Sequence, residues 1–289
     1  MRTARDRIPC PICDGTAFAL VYDDAESKVL RCRGCDLVFF NPLPTPAGLA
    51  DFYGSQQGYL PSIEENLRSF RADPSAWRSS ATHLLDQLRR HHKLARGTRI
   101  LDVGCAYGFF LHFAAEAGLD AHGLEISPET SANARERGLD VRTGTLVEAP
   151  FEPKSFDLVT FNNVLEHSTE PLADLRRVHG LLARKGLLYL AVPNIDSLVA
   201  RADNYFWKMK SWPNHLFYFS RETLERMVAK AGFEVVESFT QQGESDRHDD
   251  LRVLRDRLYL EDDERLGRAF ELVQELGLGQ ELVVIARKG

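Results

Sequence analysis

Cys10, Cys13, Cys32 and Cys35 follow the spacing C-x2-C-x18-C-x2-C, which points to a bound metal ion. Two residues between thiols let both sulfurs of one knuckle reach the same ion, and two knuckles close a tetrahedron around Zn2+. Four thiolates fill the shell and leave no open position for water, so the expected zinc is structural. Paired disulfides are the other use of four such cysteines, and a reducing cytosol argues against them. A second constellation is Asp102, Gly104, Cys105 and Gly108, followed by Glu125. Glycines at a strand-to-helix turn let a ligand approach the backbone. A carboxylate about 20 residues further on suits two ribose hydroxyls. The glycines read G-x-x-x-G with Ala106 between them, not G-x-G-x-x-G. Asp102 beside that turn would repel a pyrophosphate and favour a cationic ligand. A third constellation is Glu166-His167, which could serve as base and orienter. His215, in the aromatic stretch from Asn204 to Ser220 with Lys208 and Lys210, is a second candidate base. The bland readings are a turn cap for His167, a structural Glu166 and a buried, satisfied His215.

These residues need elements to position them. Val29–Arg31 and Leu37–Phe40 read as short strands around the cysteine knuckles, with Asp14-Gly15 and Gly34 as turn formers. Pro42, Pro44 and Pro46 make a rigid connector. Gly48–Tyr53 reads as a short helix, followed by a loop through Pro61 and a helix from about Ser75 to Leu94. From Arg99 strands and helices alternate. Strands are expected at Arg99–Val103, Ala121–Glu125, Val141–Leu146, Phe156–Asn162, Leu187–Val192, Phe233–Phe239 and Glu281–Ala286. Helices are expected at Phe109–Ala117, Pro128–Arg137, Pro171–Arg184 and Arg221–Ala231, with one charge-rich helix at Asp249–Glu275. The fold class is therefore α/β, a doubly wound seven-stranded Rossmann-like sheet preceded by a small zinc ribbon and a helical segment. Ligands of such sheets bind beyond the carboxyl ends of the strands, where the winding direction switches. The expected domains are 1–45 for the ribbon, 46–97 for the helical connector and 98–289 for the sheet.

Composition narrows the class. Of 289 residues, 44% are hydrophobic and 27% charged, with a formal net charge of −6, the balance of a soluble globular chain. No run approaches the ~20 apolar residues that span a bilayer. MRTARDRIPC has no apolar signal core, so a cytoplasmic location without membrane contact is expected. Nothing shows the basic excess of a nucleic-acid binder. Around the cysteines, Asp23, Asp24, Glu26 and Asp36 cancel Arg31 and Arg33. Leu251, Leu254, Leu258 and Leu266 give the charge-rich helix one buried stripe, so it reads as a packing helix, with a homodimer contact as the alternative.

Residues 99–194 resemble a class I S-adenosylmethionine-dependent methyltransferase. Ile100–Gly108 resembles that family's first motif, Gly123–Ser127 its second, Phe156–Asn162 its fourth strand and Gly186–Asn194 its fifth. The resemblance implies that Gly104, Cys105 and Gly108 pack on the methionine part of the cofactor, with Glu125 and its neighbour Ile126 at the ribose. It places Thr145 and Leu146 at the adenine and Asn162 near the methionine amino group. The family often has glycine where Ala106 stands and aspartate where Thr145 stands. A four-cysteine ribbon leading through Asn-Pro-x-Pro into an aromatic segment is similar to methyltransferases of sugar and secondary-metabolite pathways. That likeness implies a pocket-closing role for Tyr53 and Tyr59. Asn163–His167 resembles the Glu-x-x-Glu-His segment of ubiquinone-pathway O-methyltransferases, which implies a divalent metal there. Here Asn163 replaces the first acid.

The function expected from these readings is methyl transfer to a small-molecule acceptor, a sugar or specialised metabolite, with O-methylation ahead of the C- and N-methylation that the residues also leave open. A tRNA or rRNA methyltransferase gripping RNA through the ribbon is the alternative the local charge opposes. A non-catalytic cofactor-binding scaffold is a third, and it would need neither Asp102 nor a polar cleft.

Overall fold

The computed structural model describes residues 6–23, 28–45, 48–49, 59–148, 151–202, 214–241, 244–259 and 262–289. The chain passes through β1 (Phe18–Asp23), β2 (Lys28–Cys32) and β3 (Val38–Phe40), then α1 (Tyr59–Ala72) and α2 (Ser75–Arg89). The alternating region opens with β4 (Arg99–Val103), α3 (Phe109–Glu116), β5 (Asp120–Glu125), α4 (Pro128–Glu136) and β6 (Asp140–Thr143). β7 (Phe156–Asn162), a 3-10 turn (Leu165–His167), α5 (Pro171–Leu181), β8 (Leu182–Pro193) and α6 (Leu198–Ala202) follow. The chain continues with β9 (Phe217–Tyr218), α7 (Arg221–Lys230), β10 (Phe233–Gln241), α8 (Glu244–Leu258), α9 (Asp263–Glu275) and β11 (Glu281–Lys288).

The seven-stranded sheet runs in the order β10-β11-β8-β7-β4-β5-β6. β4, β5, β6, β7 and β8 are mutually parallel, β11 runs antiparallel to β8, and β10, antiparallel to β11, points the same way as the parallel set. The chain winds outward from β4 through β5 to β6, then returns to start the other half at β7. The switch therefore falls between β4 and β7, and a crevice opens there. Helices cover both faces, so the middle of β8 is apolar on both sides: Leu187–Val192 are all buried. Each fully buried Leu or Val contributes about 1.5–3 kcal/mol. On one face Leu84, Leu85 and Leu88 of α2 pack against Ile100, Leu158, Tyr189 and Ile285.

Three features differ from the sequence reading. The loop expected through Pro61 is helical from Tyr59, because a proline in the first helical turn gives up only an N–H that has no intrahelical partner. The single helix expected over Asp249–Glu275 is two. Tyr259 turns left-handed (φ 53), and Asp262 accepts the Arg265 N–H at 2.9 Å to cap α9. Leu254 and Leu266 nevertheless share one apolar cluster with Val273. β1 and β9 are additional strands, and they make the ribbon a four-stranded sheet, β1-β2-β3-β9. Of the expected helix at Gly48–Tyr53, only Gly48 and Leu49 lie within the described residues, and both are helical.

The ribbon is continuous with the rest of the molecule. Val38 and Phe39 pair with Tyr218 and Phe217, and Phe39 stacks on Phe217 at 5.4 Å. Lys230 Nζ donates to the Ile12 carbonyl at 2.9 Å and to Asp14 Oδ2 at 3.0 Å, tying α7 to the first knuckle. Cys10, Phe39, Phe217, Leu190 and Val192 belong to one buried cluster.

Candidate functional site

A cavity of about 520 Å3 lies along the carboxyl edge of the parallel strands. β4 and the turn after it contribute Asp102, Gly104, Cys105 and Ala106, and β5 contributes Glu125 and Ile126. Gly104 is left-handed (φ 72), and a Cβ there would collide with Val164, so only glycine fits the turn. Gly108 (φ 72) precedes α3, where a Cβ would lie 2.6 Å from Leu139. Its role is to let α3 and α4 approach, and it is not among the described lining residues. Ala106, where the family often has glycine, is also left-handed (φ 47).

Two buried carboxylates face this half of the cavity. Glu125 Oε2 accepts the Ala106 N–H at 2.9 Å and Oε1 the Ser127 N–H at 2.8 Å. Each oxygen keeps acceptor capacity for a ligand hydroxyl. Burial raises the Glu125 pKa, opposed by those two N–H groups. Asp102 accepts from Thr160 Oγ1 at 2.7 Å. Burial, with the Glu125 charge adding to it, pushes Asp102 up to about 7. A cation is the ligand that relieves both groups. Cys105 is buried, and burial raises its thiol pKa well above the ordinary value, so it acts as a packing residue.

Asn162 ends β7 and Asn163 follows it in left-handed backbone (φ 55), and both line the cavity. The turn that follows places His167 in the lining, whereas Glu166 is buried beneath it. His167 Nδ1 lies 2.6 Å from the Asn214 carbonyl. A carbonyl only accepts, so the N–H sits on Nδ1 and Nε2 carries the lone pair. That Nε2 is 3.6 Å from Glu166 Oε1. His215 packs edge-on against His167, with ring centroids 4.8 Å apart, and is not among the described lining residues. Burial pushes Glu166 up to about 8, His167 down to about 4 and His215 down to about 3. Both Glu166 oxygens and His215 Nδ1 lack hydrogen-bond partners among the described residues. Glu166, His167 and His215 each offer one ligand atom within 4.8 Å of the others. Asn163, at the position of the missing acid, turns to Glu281 instead, at 2.9 Å.

Thr145 and Leu146 are not among the described lining residues. Thr145 N and Oγ1 both donate to Glu148 Oε2 at 3.0 Å, and Leu146 packs against the main core cluster. Tyr53 lies outside the described residues, as does the Tyr59 side chain. The helical wall comes from α2, through Trp77, Ser80, His83 and Leu84, and from Asn66 of α1. It is fastened by rings: Phe70 stacks on Phe109 at 4.4 Å and Trp77 leans on it at 4.6 Å. Sequence reasoning also missed Tyr189, Gln241 and Glu281 in the lining. Tyr189 sits inside a run of leucines, and only its hydroxyl, polar in an apolar strand, hinted at a role.

The four ribbon cysteines form a second centre. Cys10 Sγ and Cys35 Sγ are 3.3 Å apart and Cys13 Sγ and Cys32 Sγ 3.4 Å, too far for disulfides. All four sulfurs lie within 4.8 Å of one another, close to the ~3.8 Å edge of a tetrahedron with zinc–sulfur bonds of about 2.3 Å. A Cβ at Gly15 or Gly34 would lie 3.2 Å from Cys13 Sγ, so both knuckles use glycine to bring the backbone up to the sulfurs. Burial raises the Cys10 thiol to about 11, and a bound cation would reverse that.

Comparison with known proteins places this geometry. A methyltransferase-domain profile matches residues 71–238. A ubiquinone biosynthesis O-methyltransferase of Xanthomonas campestris is 34% identical over 123 residues, which are 39% of this chain and 52% of that protein. The chain thus spans about half the length of the curated relatives it matches. The phosphoethanolamine N-methyltransferase 2 of Haemonchus contortus, solved with S-adenosyl-L-methionine, superposes with a TM-score of 0.58 at 17% identity. That match covers 92% of this chain and 70% of the other. A SAM-dependent methyltransferase from Archaeoglobus fulgidus gives a TM-score of 0.52 at 22% identity, over 73% of this chain and 94% of the other. At those identities the structural likeness speaks for the fold alone. Among the described residues no helix is long and apolar enough to cross a membrane.

Proposed function

This chain belongs to the methyltransferase-domain family, and from that premise we propose that it transfers the methyl group of S-adenosylmethionine to a hydroxyl of a small-molecule acceptor. The observation that carries the reading is the pair of buried carboxylates, Asp102 and Glu125, facing one cavity across a glycine turn at the switch point. In this reading Glu125 accepts the ribose hydroxyls. Asp102, with Asn162 beside it, compensates the positive charge of the methionine part, and Ile126 covers the ribose side. Thr145 and Leu146 remain candidates for the adenine only through movement of their loop. The helices α1 and α2 act as the cofactor lid, since they supply the wall that keeps water out.

The sulfonium supplies an activated methyl group and an excellent leaving group. What remains for the chain is to orient the acceptor hydroxyl and to take its proton. His167 is the base in this proposal, because its ring lines the cavity and its Nδ1–H is held by the Asn214 carbonyl, which leaves Nε2 as the proton-accepting atom. Glu166, 3.6 Å from that Nε2, is the counter-charge of the imidazolium once it is itself ionised. His215, packed on His167, holds the ring in place. The four cysteines hold one Zn2+ that organises the ribbon and takes no part in the transfer. Cytoplasmic action on a soluble metabolite follows from the same reading, and a homodimer is compatible with it.

The test uses methyl-labelled S-adenosylmethionine with an extract of the source organism. Label entering solvent-extractable small molecules is expected. Label in acid-precipitable, ribonuclease-sensitive material would replace this reading with an RNA methyltransferase. Saturable cofactor binding without any transfer would leave a scaffold.

A further inference from the structure

Glu166, His167 and His215 converge from two segments. Glu166 and His167 stand in the 3-10 turn after β7, and His215 comes just before β9. The Leu216 N–H donates to the Glu166 carbonyl at 2.8 Å, which ties the two segments together. Each of the three residues offers one ligand atom, and these atoms lie within 4.8 Å of one another. Among the described residues, the other such group is the set of ribbon cysteines.

Two details of the cluster point to an ion. Glu166 is 1% exposed, and among the described residues neither of its oxygens has a hydrogen-bond partner, nor has His215 Nδ1. A buried carboxyl with no donor beside it is rare and costly, and a cation satisfies it. His167 is already set as metal-ligating imidazoles are. Its Nδ1–H is held by a backbone carbonyl, that of Asn214 at 2.6 Å, and its Nε2 keeps the lone pair. That Nε2 stands 3.6 Å from Glu166 Oε1, and donors on a tetrahedral ion with bonds of about 2.1 Å are roughly 3.4 Å apart. Three protein donors leave the fourth position to water.

The donor set differs from the one that the Glu-x-x-Glu-His resemblance implies. Two carboxylates and one imidazole would suit a hard, oxygen-seeking ion such as Mg2+. Here Asn163 takes the place of the first acid and donates to Glu281 at 2.9 Å. A second imidazole, His215, enters from the other segment in its stead. One oxygen and two nitrogens suit Zn2+ and its neighbours in the transition series.

We propose that Glu166, His167 and His215 form a second metal site, selective for an imidazole-binding divalent ion such as Zn2+ over Mg2+, with His167 Nε2, His215 Nδ1 and the Glu166 carboxylate as its ligands. Binding of the ion stands apart from the methyl-transfer reading, and one consequence rests on that reading. The ion takes the Nε2 lone pair assigned to the acceptor's proton, so the loaded protein has no base at His167 and transfer is withheld until the ion leaves.

The test uses the whole protein holding its ribbon zinc. Equilibrium dialysis should find a second, weaker equivalent of Zn2+ per chain, undisturbed by a large excess of Mg2+. Co2+ added to the zinc-loaded protein should give d–d bands without the thiolate charge-transfer band that exchange into the ribbon would produce. Proton NMR of that Co2+ form should show the exchangeable ring N–H groups of His167 and His215 shifted by the paramagnetic ion, a readout that needs no variant. Glu166→Gln and His215→Asn should each weaken the second equivalent by at least about tenfold while leaving the first in place. The proposal is overturned if only one equivalent binds, if Mg2+ displaces the second, or if it survives both replacements in protein whose circular dichroism is unchanged. S-adenosylhomocysteine titrated into the same protein reads the cofactor end by itself. Failure there removes the methyl-transfer reading and leaves the metal site standing.

Discussion

At the scale of single residues, the carboxylates of the site are kept in unequal states. Asp102, pushed up to about 7 by burial, is half protonated near neutrality in the empty site. A cationic ligand binds its ionised form, so binding below pH 7 must expel a proton. Affinity for S-adenosylmethionine is expected to rise with pH up to about 7 and then level off. Calorimetry in buffers of different ionisation enthalpy should register the released proton, and Asp102→Asn should abolish the pH dependence. Glu125→Ala is expected to weaken the cofactor by about 1.5–3 kcal/mol, the scale of charged hydrogen bonds; unchanged affinity would remove its assignment to the ribose. Glu166 carries a different signature. Its folded pKa, about 8, lies above the unfolded value of about 4.5, so the folded chain holds a proton that the unfolded chain has lost between those limits. Wild-type stability should therefore fall relative to Glu166→Gln as pH rises from 5 to 8, by up to about 1 kcal/mol per pH unit. Denaturant titrations of both proteins across that range would show a flat difference if Glu166 is ionised in the fold. For His167→Asn, turnover should fall by about 10²–10⁴ with cofactor affinity intact, read by label transfer alongside calorimetry.

At the scale of elements, what was legible in the chain followed one rule: local pattern reveals elements whose environment is local. The Leu187–Val192 part of β8 was legible because both faces of that central strand are buried, which writes a continuous apolar run. The glycine turn after β4 was legible because left-handed backbone at Gly104 and Gly108 favours glycine. At the start of α7, Ser220 accepts the Thr223 N–H in a reciprocal capping box. Ser220→Ala is expected to cost about 0.5–2 kcal/mol, measurable as a lowered thermal midpoint. The β11 end of the cavity was not legible. Gln241 ends β10 and Glu281 begins β11, and only the opposed directions of those two strands bring them together. β9, two residues long, has no periodicity to read, and its partner Phe39 lies at the other end of the chain. The break between α8 and α9 was missed because the apolar stripe continues across it while the backbone does not.

At the scale of the molecule, the ribbon and the sheet share a core, so the cysteine centre should stabilise the whole and not a separable module. Stripping the expected one zinc per chain should lower a single cooperative melting transition. Two resolved transitions in calorimetry would show that the ribbon melts independently. The chain of contacts explains the expectation. The Phe40 N–H donates to the Leu216 carbonyl, and the Leu216 N–H donates to the Glu166 carbonyl, so ribbon, β9 and the residues beneath His167 are one hydrogen-bonded run. The same two-residue strand has a consequence during synthesis. β3, a bare Val-Phe-Phe edge, is made long before the strand that covers it, which arrives only at Phe217 and Tyr218. Until then the nascent chain displays an unpaired apolar edge of the kind that recruits other chains. Protection of that edge, by early metal capture or by a chaperone on the ribosome, should decide how much of this protein reaches its folded state.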